Sequence, residues 1–350
     1  MTEEKIYLMK PRLLTYLICP KCNGELVCIA ESQQGEDIIT GQLTCKQCGK
    51  AYPIVRGIPR MLLESPLEVK KRTADNFGWE WQRFKALAQD LNTTQAQFLD
   101  WVWPLTADYF RGKIVVDAGC GMGRWPMVVS TFGAQEVLAF DLSNSVEAAC
   151  DNLTAYQNVH VIQADIYHLP FRCGPQAQID CIYSIGVLHH LPDPQGGFQA
   201  LTQFLRPGGG IFGWVYGLEN NEWIVKYINP LRHHITSRLP AVVLYWLCFL
   251  LTLILHPILK LLYKKSASHN WRRQLPYYLY LSWLAQFEFA HTHVVIHDHL
   301  TAPLAEYIPH DEYQHWFTDA GLIDVWLNER NANSWRGYGE KPAITVPVHQ

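Results

Sequence analysis

The chain is short of charge. Asp, Glu, Lys and Arg together make up 17% of its 350 residues, and the formal net charge is −3. A protein that gathers a polyanion through its overall field carries an excess of Lys and Arg, and that excess is missing. An apolar leader is missing as well: the start, MTEEKIYLMK, is charged and holds no hydrophobic run of the kind that directs secretion. The expectation is a cytoplasmic chain whose paired cysteines are not disulfides. No internal repeat or low-complexity tract is present, so a repeat architecture is set aside. Aromatic residues, in contrast, are plentiful, with 13 Trp and 17 Tyr. That balance suits broad apolar surface against ligand, partner or lipid. The length allows two domains and an insertion.

The most informative stretch is Val115-Val116-Asp117-Ala118-Gly119-Cys120-Gly121-Met122-Gly123. An apolar run ends in an acid and glycines follow at alternate positions. This reads as a buried strand, a tight turn and a helix starting near Arg124. Bare backbone at such a turn lets a ligand approach closely, and a helix N-terminus favours its anionic groups. The G-x-G-x-x-G pattern of nicotinamide-binding turns is not matched, because the third glycine comes one residue early. Four more apolar runs follow: Val137–Phe140 before Asp141, Val159–Ile162 before Asp165, Ile179–Ser184 before His189 and His190, and Gly210–Val215. Helix-like segments at Ser145–Leu153 and Gly197–Phe204 lie between them. Alternating strand and helix is the mark of an α/β domain with a parallel sheet, whose ligands bind at the carboxyl ends of the strands.

With these motifs in order, the sequence resembles the class I S-adenosylmethionine-dependent methyltransferases, closely over residues 75–217 and more loosely over 298–346. The resemblance implies a seven-stranded Rossmann-like α/β sheet with helices on both faces. It also implies that Asp117, Gly119, Cys120 and Gly121 cradle the methionine part of S-adenosylmethionine. Asp141 and Leu142 would meet the ribose, and Asp165 and Ile166 the adenine. A carboxylate can accept charge-assisted bonds from both ribose hydroxyls. Each aspartate could instead cap the helix after it. Asn76–Phe84 matches an aromatic segment that closes over the cofactor in related enzymes, or else it is a helix packed on the domain. Arg206-Pro207-Gly208-Gly209 matches the turn before the fifth strand.

Cys19-Pro-Lys-Cys22 and Cys45-Lys-Gln-Cys48 form two C-x2-C pairs, each followed by a glycine. Two such turns bring four thiolates around a structural zinc ion. Residues 12–65 resemble the small zinc-ribbon family that activates methyltransferases as a separate subunit, here fused in cis. Cysteines 28, 120, 150, 173, 181 and 248 show no ligand spacing and read as small buried apolar residues. Glu64-Ser65-Pro66 marks the linker.

After the fifth strand, residues 218–297 read as a hydrophobic helical insertion, followed from 298 by the completion of the sheet. Leu239–Leu259 has membrane-span length and basic flanks at Arg232, Arg238, Lys260, Lys264 and Lys265. A single crossing would leave the tail on the wrong side of its own sheet. The segment is therefore expected to lie at a membrane surface, to pair as a hairpin or to be buried as a cap. Contact with lipid through 239–263 would place the chain on the inner face of the membrane. His291, His293, His297 and His299 alternate with other residues, and on a strand they would share one face.

The sequence-level reading is a methyltransferase for a small-molecule, sugar or lipid-like acceptor. Its base or substrate orienter is expected among His189, His190 and Asp298. Nucleic acid is not the expected partner, and the partner of the ribbon stays open. Two alternatives remain: an rRNA or tRNA methyltransferase using the ribbon to hold RNA, and a scaffold that binds the cofactor without catalysis. His310–Gly321 reads as a helix, Asp324–Glu329 as a strand, and the last strand is placed near Ala343–Val346.

Overall fold

The computed structural model describes residues 7–63, 68–89, 91–264 and 270–343. The linker at 64–66, the flanking Lys265 and most of the expected last strand lie outside them. The first structured unit is an antiparallel sheet of β1 (Leu26–Gln34), β2 (Asp37–Cys45), β3 (Ala51–Val55) and β4 (Ile58–Pro59), paired in that order. Gly57 makes the last turn at φ +72°, where a Cβ would come within 2.8 Å of Tyr7 O and Met9 N. Only glycine fits so close a backbone approach. Alternate residues of β2 and β3 (Leu43 and Cys45, Tyr52 and Ile54) turn inward, as does Ile38. They join one continuous core with Leu138, Phe140 and Ile162 of the larger sheet.

Helices α1 (Glu68–Phe84), α2 (Leu91–Val102) and α3 (Ala107–Phe110) lead into that larger sheet. β5 (Ile114–Ala118), α4 (Arg124–Thr131), β6 (Glu136–Asp141), α5 (Ser145–Leu153) and β7 (Val159–Gln163) follow in strict alternation. Next come β8 (Ile179–Ile185), α6 (Pro194–Thr202) and β9 (Leu205–Tyr216). α6 is started by Pro194 and capped by Asp193, whose carboxylate accepts the Gly196 N–H at 2.9 Å. The expected turn at 206–209 is instead part of β9, as an irregularity in its pairing with β8. β10 (Ile323–Arg330) and β11 (Ser334–Glu340) complete a seven-stranded sheet ordered β10-β11-β9-β8-β5-β6-β7. Strands β5 to β9 pair parallel, while β11 and β10 are antiparallel additions. Among the described residues the last strand is Ser334–Glu340, and the segment near Ala343–Val346 lies almost wholly outside them.

The ribbon seals the β7 edge. Arg60 bridges Gln163 in parallel, and the Met61 N–H donates to Gln163 O at 2.8 Å. On the neighbouring loop, the Ile18 N–H donates to Pro170 O at 2.8 Å. Arg56 and Arg60 both pair with Glu147 of α5. An edge strand with free backbone groups is thereby covered within the same chain.

The insertion is helical: α7 (Asn229–His234), α8 (Ala241–Leu262), α9 (Tyr278–Leu284) and α10 (Phe289–Thr301), with α11 (His310–Asp319) after it. The histidines of 291–299 do not share a strand face. Buried His293, His297 and Thr301 recur every four residues, which is the spacing of one helix face. α8 packs Leu244, Cys248, Thr252 and Leu259 inward. Two histidines tie it to α10: His293 Nε2 lies 3.2 Å from Tyr245 O, and His256 Nδ1 lies 3.0 Å from Thr292 Oγ1. Its other face exposes Leu247, Leu250, Leu253, Ile254, Ile258 and Leu261. Length and composition would allow α8 to cross a membrane. α8 thus packs one face on α10 and leaves the other exposed.

Candidate active site

Two adjoining cavities of about 140 Å³ each open at the carboxyl ends of the parallel strands. The first is built on the glycine turn. Gly119, Gly121 and Gly123 take φ of +90°, +51° and +82°. A Cβ on Gly119 would lie 2.3 Å from Val187 Cγ2, and one on Gly121 would lie 3.2 Å from Trp81 Nε1. Asp141 ends β6 beside this turn. One of its oxygens accepts the Gly121 N–H at 3.0 Å, and the other accepts the Ser143 N–H and Oγ at 2.8 and 2.7 Å. A carboxylate has about four acceptor positions and three are taken here, so the oxygen that meets Gly121 keeps one for a ribose hydroxyl.

Gly119, Cys120, Gly121, Asp141, Leu142, Asp165 and Ile166 all line this cavity, as the resemblance implied. Asp117 does not: it is buried beneath the turn, and both carboxylate oxygens lack a partner among the described residues. Burial pushes its carboxyl well above the usual range. Asp165 differs from expectation in another way. Its carboxylate already pairs with Lys70 of α1, whose ammonium lies 4.5 Å from the Tyr167 ring centroid. α1 covers the cavity with Lys70, Thr73, Ala74, Phe77 and Trp81, so the aromatic segment at 76–84 belongs to its roof. The glycine cradle and the free capacity of Asp141 fit a nucleoside cofactor, and the chain's own lysine occupies the far end.

The second cavity shares Trp81, Met122, Arg124, Ile185, Gly186 and Asp298 with the first. Beyond that common wall it is lined by aromatic side chains from distant elements, including Trp101 of α2, Trp214 of β9, and Tyr280 and Trp283 of α9. Asp298 stands where the two cavities meet. Tyr216 donates its hydroxyl to the Asp298 carboxylate at 3.1 Å. Burial, with Glu80 adding like charge, pushes the Asp298 carboxyl up to about 7, against the opposing Tyr216 bond. Burial also pushes the Arg124 guanidinium down to about 10, opposed by Asp298 and Asp117.

The two histidines separate. His190 lines the first cavity, and its Nδ1–H donates to Leu304 O at 2.6 Å. Burial lowers its pKa to about 3, so the ring is neutral near pH 7. His189 is fully buried under Tyr216, at 3.9 Å between ring centroids, and reaches neither cavity. Lys70, the cavity-lining role of Arg124 and the Trp101–Trp214–Trp283 group were not found from the sequence, whereas Trp81 lies in the aromatic segment singled out there. The tryptophan count was a signal of quantity, but nothing in the linear order places three of them together.

In the ribbon, the sulfurs of Cys19, Cys22, Cys45 and Cys48 all lie within 4.8 Å of one another. Cys19–Cys48 is 3.7 Å and Cys22–Cys45 is 3.5 Å. Tetrahedral zinc with Zn–S near 2.3 Å sets sulfurs about 3.8 Å apart, so the four cysteines fit one zinc ion.

Comparison with known proteins agrees with both halves. Residues 115–209 match a methyltransferase domain family, and residues 10–57 match the Trm112p-like protein family. A tRNA U34 carboxymethyltransferase from Campylobacter curvus is 26% identical over 54% of this chain and 57% of its own length. A ubiquinone biosynthesis O-methyltransferase from Cupriavidus pinatubonensis is 29% identical over 47% of this chain and 64% of its own. The chain thus spans less than two thirds of each. A solved complex of the Haloferax volcanii Trm112 methyltransferase activator with a methyltransferase aligns with a TM-score of 0.42 and 16% identity, covering 78% of this chain and 99% of that one. Proteins named tRNA U34 carboxymethyltransferase recur among the relatives. Together with the Trm112p-like match, they overturn the expectation of a small-molecule, sugar or lipid-like acceptor. They likewise overturn the partner reading that set nucleic acid aside in favour of a lipid-like substrate and contact through 239–263. The overall charge averages over the whole surface and so does not exclude a nucleic-acid acceptor. The chain joins a Trm112p-like zinc ribbon to a methyltransferase domain of the class I S-adenosylmethionine-dependent fold.

Proposed function

We propose that the chain is an S-adenosylmethionine-dependent methyltransferase whose acceptor is a base of tRNA, acting in the cytoplasm. The observation that carries this reading is the aromatic cavity opening off the glycine-turn cavity, with Asp298 at their junction. The relatives named for tRNA modification support it. Enzymes that modify a base take it out of the stack and hold it between aromatic or apolar side chains. On this reading residues 12–65 are the ribbon, 75–217 the cofactor-binding core and 218–297 a cap that carries one wall of the base cavity. The sheet is completed from 298 onward.

S-adenosylmethionine, when bound, supplies a methyl group that its sulfonium makes electrophilic. The chain does the rest. Gly119 and Gly121 leave room at the turn, Asp141 accepts from the ribose, and α1 excludes water from above. Asp298 accepts the proton that the acceptor loses, and a pKa near the working pH suits a general base. The Tyr216 hydroxyl holds the carboxylate in place. His190, neutral and fixed through Leu304, orients the roof by packing against Phe77 at 5.0 Å between centroids. His189 supports Tyr216 from below.

The test is methyl transfer from tritium-labelled S-adenosylmethionine to extracts of a strain lacking the gene. Nuclease-sensitive label in the tRNA fraction is the expected result. Label confined to the organic phase or to free small molecules would overturn the reading.

A further inference from the structure

The wall of the aromatic cavity continues into a second layer of indole and guanidinium that reaches the surface. In the first layer Arg330, 5% exposed at the end of β10, lies between two indoles of the cavity. Its guanidinium carbon is 4.8 Å from the Trp101 ring and 4.9 Å from the Trp283 ring. In the second layer the Arg336 guanidinium of β11 lies 4.9 Å from the Trp103 ring and 5.9 Å from the Trp326 ring of β10. Asp100 joins the two: its carboxylate pairs with Arg330, and its backbone carbonyl accepts the Arg336 Nη1–H at 2.6 Å. Trp326, Asn328 and Arg330 alternate along β10, and Asn328 stands opposite Arg336 in the ladder, so these side chains share one face of the sheet.

The layers differ in what they leave open. Arg330 is tied to a carboxylate. Arg336 is bonded to neutral oxygens, the Asp100 carbonyl and the Asn328 side chain at 2.9 and 3.2 Å, and no carboxylate among the described residues lies at ion-pair distance. Its charge is therefore not cancelled locally. Trp101 is half-buried, whereas Trp103 is 49% exposed, with Trp326 against it at 5.0 Å between ring centroids. A half-exposed indole backed by an unpaired guanidinium suits a partner that brings both a flat ring and negative charge. Each unit of a nucleic-acid strand brings both, and its base can stack only where it is not already paired in a duplex.

We propose that Trp103, backed by Arg336 and Trp326, is a stacking platform for an unpaired base of the RNA strand that delivers its acceptor base to the cavity. The strand is then held outside the cavity as well as within it. This rests on the tRNA reading proposed above.

The test reads binding and needs no turnover. Protein saturated with S-adenosylhomocysteine is titrated into a fluorescently labelled single-stranded RNA of roughly ten nucleotides, and anisotropy is followed. Trp103→Leu keeps an apolar side chain and removes the ring, so it should weaken binding by about fivefold or more. Trp103→Phe keeps a ring and should recover most of that loss. Affinity for S-adenosylhomocysteine should not change in either variant, because Trp103 lines neither cavity. The wild type supplies a second arm: an abasic strand of the same length carries the same phosphates without rings and should bind about fivefold more weakly or worse. Equal binding of the two strands, or an affinity that Trp103→Leu leaves within about twofold, would overturn the proposal. So would a duplex bound as tightly as the single strand. Binding that depends on Trp103 with no label in tRNA would leave the platform standing and remove the tRNA reading. Label in tRNA with no effect of Trp103→Leu would do the reverse.

Discussion

Asp298 and Glu80 are the residues whose protonation the fold controls most directly. Asp298 is raised to about 7, first by burial and then by Glu80. The groups facing it are Tyr216 from β9, Arg232 from α7, Arg124 from α4 and Glu80 from α1, with His297 beside it in α10. Only the ionised form accepts a proton, so kcat is expected to rise with pH through about 7 and then level off. A pH–rate profile without that rise would remove Asp298 from the role of base. Glu80 is completely buried with neither oxygen hydrogen-bonded, and His297 Nδ1 lies 3.3 Å from it. Desolvation raises its carboxyl well above the usual value of 4.5. The stability gained by burying the neutral form is full below that unfolded value and is lost as pH rises toward the folded one. Glu80→Gln keeps the shape and removes the charge, so it should raise Tm more at pH 8 than at pH 5, by roughly several degrees. Equal shifts at both pH values would show that Glu80 is not buried neutral. Of these residues, only Asp298 was singled out from the sequence, as one of three candidates for base or substrate orienter. Glu80 and Arg330 were not, because a charged residue in a linear sequence carries no mark of being buried.

The elements that make the first cavity were read from the chain almost as they stand. Apolar runs of four to six residues, each ending at an acid or a glycine, can hardly be other than parallel strands when helices separate them. The Gly119 turn is the tightest point. Gly119→Ala would need φ near +90° and would drive its methyl into Val187. A loss of about 2 kcal/mol or more in stability, or a matching loss of S-adenosylhomocysteine affinity, is expected by denaturant titration and calorimetry. An unaltered protein would mean that the turn has slack. The insertion was harder to read, since alternating histidines fit a strand locally while packing against α8 selects the four-residue repeat of a helix. The outward face of α8 gives a direct check. Leu250→Gln and Ile254→Gln together should change stability by less than about 1 kcal/mol, because both side chains are exposed. A large loss would show that the face is covered.

At the scale of the whole molecule, the ribbon and the methyltransferase domain share a core and a sheet edge. Just past the ribbon's last strand, Arg60 bridges Gln163 at the end of β7, next to Ala164 and Asp165 of the cofactor cavity. The two C-x2-C pairs made the zinc site readable from the sequence. Its placement against β7 was not readable, because backbone pairing at an edge leaves little trace in side-chain pattern. A metal-dependent domain of this size loses its fold with its ion. Chelation, or Cys22→Ser, should therefore weaken cofactor binding severalfold although no cysteine ligand touches the cavity. Calorimetric titration with S-adenosylhomocysteine would read it, and unchanged affinity after complete zinc removal would separate the two units.

The central claim is that the glycine-turn cavity and the aromatic cavity act as one site with Asp298 between them. It is tested most directly by single-turnover methyl transfer to tRNA with saturating cofactor, comparing wild type with Asp298→Asn. The account predicts a loss of roughly a hundredfold or more in rate with S-adenosylhomocysteine affinity nearly unchanged. A loss below threefold, or a fall in cofactor affinity large enough to explain the whole effect, would contradict it.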